Sequence, residues 1–399
     1  MELKRIDAFF LKALFLVVAG IIITQVLERD SVSSILFLLT FPLTIVLWIR
    51  SIRQTFSATD MIVVIACVLA ILSVLLNASK VSAAMDFEYL KKLIMFVMTL
   101  LFFQTAYRLR IHEGMRHFIR HVVDLLVLFL ILMYFLQTGR MHMLNGRQTI
   151  YLTFNFSNPN MTALFLTCLY MLKMHRLFEG GRWYVKLVNI LQQILLAWFI
   201  LTTQSRNCLL VMVIYTVLLI WLMFRSRKKL WVTKGWTVLF VTSPALLVAA
   251  YMLLGNSTWI REPFSFLAGE GKSLDSRVRV WSAALEELGK SPVIGAYNEI
   301  SAGTGHSQMH NTHLDIAVSY GVPVLVLVCI LLGKYLHQRG RVYQNKRSYI
   351  YILGFACAIL MGMGEATVFS GGLGIYVFAG TFLLLSNWAD PTTEGRRSV

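Results

Sequence analysis

The run MHNTHLDIAVSYG, Met309 to Gly321, sets His310, Asn311, His313 and Asp315 where a polar segment gives way to an apolar one. Polar side chains at membrane depth are expensive unless they are paired or open onto a water-filled cavity. An imidazole titrates near neutrality and suits proton transfer, so His310 is the leading candidate and His306 and His313 are its neighbours. Asn311 and Asp315 are four residues apart on the helix that would begin here, so either can orient the histidine or hold a sugar. A second set is cationic. Arg147, Arg206, Arg277 and Arg279 fall in segments otherwise poor in basic residues, and a guanidinium holds oxyanions in paired hydrogen bonds.

The elements that must position these groups are membrane helices. The chain has 399 residues, 57% hydrophobic and 14% charged, with seven prolines and 25 glycines, an apolar excess beyond that of soluble domains. Apolar runs of spanning length predict about twelve helices, at 8–27, 34–49, 60–77, 92–107, 121–137, 160–174, 185–203, 207–224, 236–255, 312–333, 349–367 and 371–387. The first follows Lys4 and Arg5 without a small-residue cleavage site, which reads as an uncleaved signal anchor. The fold class is an all-α polytopic membrane protein, one membrane domain over 1–399 with a large external loop at 256–311. The five cysteines lie in or beside apolar runs without ligand spacing, which points to packing rather than metal.

The net charge of +17 is a topology signal. Alternate loops carry RLRIHEGMRHFIR, RSRKKLWVTK and KYLHQRGRVYQNKR, and basic loops stay in the cytoplasm. With an even number of spans both termini are cytoplasmic as well. Basic runs interleaved with stacking aromatics are missing, so nucleic acid is rejected as a partner. The remaining loops are external, and each arginine there runs against the charge rule. Headgroup contact explains any one of them, but explains several on one face less well. Within the long loop, 273–288 predicts a helix with Val278, Trp281, Leu285 and Leu288 as its apolar stripe. That helix would lie at the interface with Trp281 at headgroup depth, and Arg277, one turn before Trp281, would share its face.

SRVRVW followed by SPVIGAYN, and then by HN and SYG at the head of a span, resembles the O-antigen ligase and O-antigen polymerase superfamily of bacterial membrane glycosyltransferases. The residues matching that family's pattern are Arg277, Trp281, Pro292, Gly295, His310 and Asn311. Upstream, TTQSRN resembles the family's Ser-Arg-Gly at a hairpin tip, through Ser205 and Arg206, with Asn207 in place of the glycine. GRQTIYLTFNFSNPN resembles its Gly-Arg and Asn-Pro-Asn features, through Gly146, Arg147, Asn158, Pro159 and Asn160.

The resemblance implies a glycan carried on undecaprenyl diphosphate at the outer leaflet of the bacterial plasma membrane, transferred to an acceptor hydroxyl without cofactor or metal. It assigns diphosphate binding to Arg206 and Arg277 first and Arg147 and Arg279 second, and activation of the acceptor to His310. Asn311, Asp315, Trp281 and Glu365 are supporting positions. The acceptor is either a second lipid-linked repeat, as in a polymerase of O-antigen or capsule type, or lipid A core or protein, as in a ligase. The features around Arg147 and the modest loop favour the polymerase, for which a chain-length regulator is a possible partner. A transporter or flippase of lipid-linked sugars is the rival of another class. Matching halves, which that class usually has, are not found in the sequence.

Overall fold

A computed structural model describes residues 3–53, 55–77, 83–136, 141–143, 150–156, 158–178, 182–224, 234–254, 274–296, 309–341, 346–364, 369 and 374–387. The chain opens with α1 (Arg5–Val26), α2 (Asp30–Ile52), α3 (Ala58–Asn77), α4 (Ala83–Arg108) and α5 (Glu113–Leu136). Strands β1 (Met141–Met143) and β2 (Ile150–Leu152) form a small antiparallel ribbon, with Met141 opposite Leu152. Then come α6 (Pro159–Met174), α7 (Trp183–Thr202), α8 (Arg206–Phe224) and α9 (Lys234–Leu254). The last third holds α10 (Leu274–Lys290), α11 (Thr312–Tyr320), α12 (Val322–Arg341), α13 (Lys346–Met361) and α14 (Ile375–Ser386).

Among the described residues, seven helices are long and apolar enough to cross a membrane: α1, α2, α3, α4, α5, α7 and α12. Their outward faces expose large apolar side chains. Leu125, Leu128 and Leu132 recur at three- and four-residue spacing on α5, as do Leu187, Ile190, Leu191 and Ile194 on α7. In water such stripes would be a defect; facing lipid they are the solvent-compatible surface. This is an integral membrane protein of all-α class, as the sequence predicts. Inside the ring, α6 is buried at every residue from Thr162 to Met174 and α14 along its whole length. Its start follows the sequence closely: Asn158 accepts from the Asn160 amide at 2.8 Å and Pro159 opens the first turn, a favourable N-terminus. Asp124 takes Lys173 at 2.7 Å and also Arg176, so it pairs with basic residues.

The tenth predicted span, 312–333, is a correction. The helix breaks at Gly321, where φ is +91° and ψ 159°, a conformation open essentially to glycine alone. His313 Nε2 then lies 3.9 Å from Cys329 Sγ. In an unbroken helix sixteen residues would separate them by about 24 Å, so α11 folds back beside α12 at an acute angle. α11 is therefore a short re-entrant helix, buried at all nine residues, and α12 is the span. Apolar composition on every face marks burial and does not say whether the burial is in lipid or in protein.

The fold-back is stitched backbone to backbone. Val322 donates its amide to Pro292 O, and Ala296 its amide to Val318 O, both at 2.8 Å. A Cβ on Gly321 would run into the Val293 carbonyl, and one on Gly295 (φ +73°) into the Val318 carbonyl. From α3, Ser73 Oγ donates to Ile294 O and Ser319 O, and Asn77 Nδ2 to Ile294 O at 3.2 Å. Gly321→Ala is expected to destabilise the protein by at least about 1–3 kcal/mol, the cost of a strained backbone alone. A melting temperature in detergent equal to that of the parent would contradict this account of the corner.

Candidate active site

The α7–α8 hairpin turns through Gln204 in the left-handed region (φ +56°). Ser205 is buried at the tip and Arg206, half-buried, opens α8. Asn207, the departure from the family's glycine, donates from Nδ2 to Met361 O at 2.7 Å. Met361 ends α13, and the Gly362–Gly364 turn that follows takes two more bonds. The Thr312 amide donates to Gly362 O at 2.8 Å and Asn311 Nδ2 to Met363 O at 3.1 Å. A Cβ on Gly364 would lie 2.8 Å from Asn207 Cγ, so the turn needs glycine for this approach. One short turn thus fixes the residue after Arg206 and the residue after His310.

His310 is held from both sides. Before it, the Met309 carbonyl accepts the Trp281 indole N–H at 2.8 Å. After it, Asn311 is wholly buried and caps α11, its Oδ1 accepting from the His313 and Leu314 amides at 3.1 Å each. The same amide group donates to Pro244 O of α9 at 2.8 Å. Between these anchors His310 adopts φ +48° and stays half-exposed. A non-glycine residue in the left-handed region is uncommon, and such residues cluster at functional sites.

The site is recessed. His313 faces Cys329 eight residues past Gly321, so the start of α11 lies about 12 Å below the corner along α12. The neighbours are short to match: the apolar portions of α8, α9, α13 and α14 all fall below the length of the seven long spans. The sequence predicts each of these as an ordinary span. Two of them instead meet at this floor: α13 stops beneath α11 and α8 starts there.

α10 occupies 274–290, close to its predicted limits, but packs differently. Trp281 is 4% exposed, and with Val280 and Ala284 it meets Val248, Leu314 and Val318, while Leu285 remains 37% exposed. Trp281 is therefore an internal brace, a correction to its expected place at headgroup depth. Arg277 starts from the same face one turn earlier and Arg279 is exposed. Arg147, Glu365 and His306 lie outside the described residues, as does the Arg277 side chain. His313 is 3% exposed, packed against Cys329.

Asp315 is buried and takes Lys92 Nζ at 2.7 Å. Lys92 escapes the sequence reading, although it begins the fourth predicted span on the side where each arginine counts as informative. The signal was the same charge-placement rule, applied to arginines alone.

Residues 193–329 match a family described as O-Antigen ligase. Over this segment, about a third of the chain, the protein is similar to that family. The match starts in α7 and ends in α12, taking in Arg206, α10 and the His310 corner, while Arg147 and Glu365 fall outside it. No curated protein matches the chain. The match supports a glycosyltransferase-type activity of the ligase and polymerase kind in general.

Proposed function

We propose that the protein transfers a glycan from undecaprenyl diphosphate to an acceptor sugar hydroxyl on the outer face of the plasma membrane, most simply joining one lipid-linked repeat unit to another. The observation that supports this is the shared turn at 361–364, to which the neighbours of Arg206 and His310 are both hydrogen-bonded. An anion-binding cation and a proton acceptor are thereby tied to one recessed floor.

In this reading His310 takes the acceptor's hydroxyl proton and the oxygen attacks the anomeric carbon. The bond from that carbon to the diphosphate breaks, and its electron pair leaves with undecaprenyl diphosphate. Arg206 and Arg277, with Arg147 and Arg279 behind them, hold the charge that develops. Fixed cations in a partly dry site stabilise that charge without the reorganisation water needs. Both termini and the basic loops are cytoplasmic, which turns the floor outward toward the donor.

The experiment is transfer from purified undecaprenyl-diphosphate glycan in nanodiscs, with excess EDTA throughout. A longer lipid-linked glycan is the expected product. The family description favours the ligase as second reading, and product formed only when lipid A core is added would select it. An enzyme silenced by EDTA and restored by a divalent ion would overturn the role given to the arginines. Translocation without any new glycosidic bond would replace transfer with transport.

A further inference from the structure

We infer that the Lys92–Asp315 ion pair is the positioning device that sets the height of α11, and through it the reach of His310; this rests on the transfer reading above. The two charges are buried together, Asp315 4% and Lys92 13% exposed at the side chain, with Nζ and Oδ1 2.7 Å apart. An ionisable pair inside a membrane protein is costly to keep and marks a functional position more often than a structural one. It also has a mechanical connection to the site. The Asp315 amide donates to the Asn311 carbonyl at 2.9 Å, so Asp315 stands one turn above the cap that adjoins His310.

A second contact runs parallel to the first. Phe96, one turn after Lys92 on α4, meets Tyr320 with ring centroids 4.6 Å apart. α4 thus grips α11 at two points, through side chains. The Phe96 contact is apolar and, along α11, close to the Gly321 corner. The Lys92 contact is ionic and, along α11, the one nearer His310. The Asp315 charge lies in the first turn of α11, where the helix dipole also favours it. Lys92 therefore holds a carboxylate already suited to that end of the helix, which makes the pair directional. A base displaced by about 1 Å loses much of its rate while substrate binding elsewhere survives.

The test uses the full-length protein in nanodiscs and two independent readouts. Lys92→Met and Asp315→Asn are each expected to lower kcat at least tenfold and leave the donor KM within about twofold. The charge swap Lys92→Asp with Asp315→Lys is expected to recover a large part of the loss. A Lys92→Met enzyme with parental kcat, a loss carried by KM, or a swap no better than either single variant would overturn the assignment. The second readout needs no catalysis. In a His313→Cys background, crosslinking to native Cys329 with a short bifunctional thiol reagent reports how α11 sits against α12. Lys92→Met is expected to lower that yield severalfold, and an unchanged yield would overturn the inference. If the protein proved to transfer no glycan, the crosslink would still judge the pair, so the two failures are distinguishable.

Discussion

His310→Ala is expected to lose glycan transfer by about 10²- to 10⁴-fold, the usual worth of a positioned general base. The protein should still insert, still melt cooperatively and still bind the lipid-linked donor. The structure explains why the loss can be that selective. The corner is held by Trp281 on the Met309 carbonyl and by the Asn311 cap, neither of which uses the His310 side chain. Removing the imidazole therefore leaves the anchors in place, although alanine is less at ease than histidine in the left-handed backbone at this position and some loss of stability is expected beside the loss of transfer. His313→Ala is the control: that ring is buried against Cys329 and should matter to packing more than to proton transfer. Transfer rates with donor binding measured in parallel decide the matter. A fully active His310→Ala would remove the base from this mechanism.

Arg206→Lys is expected to abolish most activity while keeping the charge. Lysine offers a point charge on a flexible stem, whereas a diphosphate is best held by the planar, paired donors of guanidinium. Losing one preorganised donor to a developing anion costs about 10²–10³ in rate. Arg206 is also the first residue of α8 and directly precedes the Asn207 tie to Met361, so its backbone is fixed independently of its side chain. A normal glycan product from the lysine variant at parental expression would take Arg206 out of the diphosphate site.

Much of this architecture is legible in the sequence because lipid imposes length and apolarity on every span. Eleven of the twelve predicted spans coincide with single helices. The tenth fails for a physical reason: a re-entrant helix packed inside protein is as apolar as one in lipid. The break was nonetheless marked. Gly321 followed by Pro323 combines a helix stop with a helix start. On α10 the predicted stripe gives weight to Leu285, yet the buried face runs through Val280, Trp281 and Ala284. Alanine is a weak hydrophobic signal but the better residue for close approach. The family motif divides along similar lines. Trp281, Pro292, Gly295 and Asn311 turn out to build the corner through hydrogen bonds and close backbone contacts. Spacing alone cannot separate such builders from the groups they present, and it cannot pair Lys92 with a residue more than two hundred positions away.

The depth of the floor bears on electrical insulation. On the transfer reading, a substrate path down to a floor about 12 Å below the corner leaves less than the full hydrocarbon thickness of about 30 Å as the barrier to ions. Beneath the first turn of α11 lies a small cavity lined almost wholly by apolar groups, Phe103, Leu332, Phe355, Ile359 and Phe369 among them. On that reading those side chains form the apolar barrier beneath the site. A polar substitution among them is then expected to raise proton leak through proteoliposomes as well as to disturb packing.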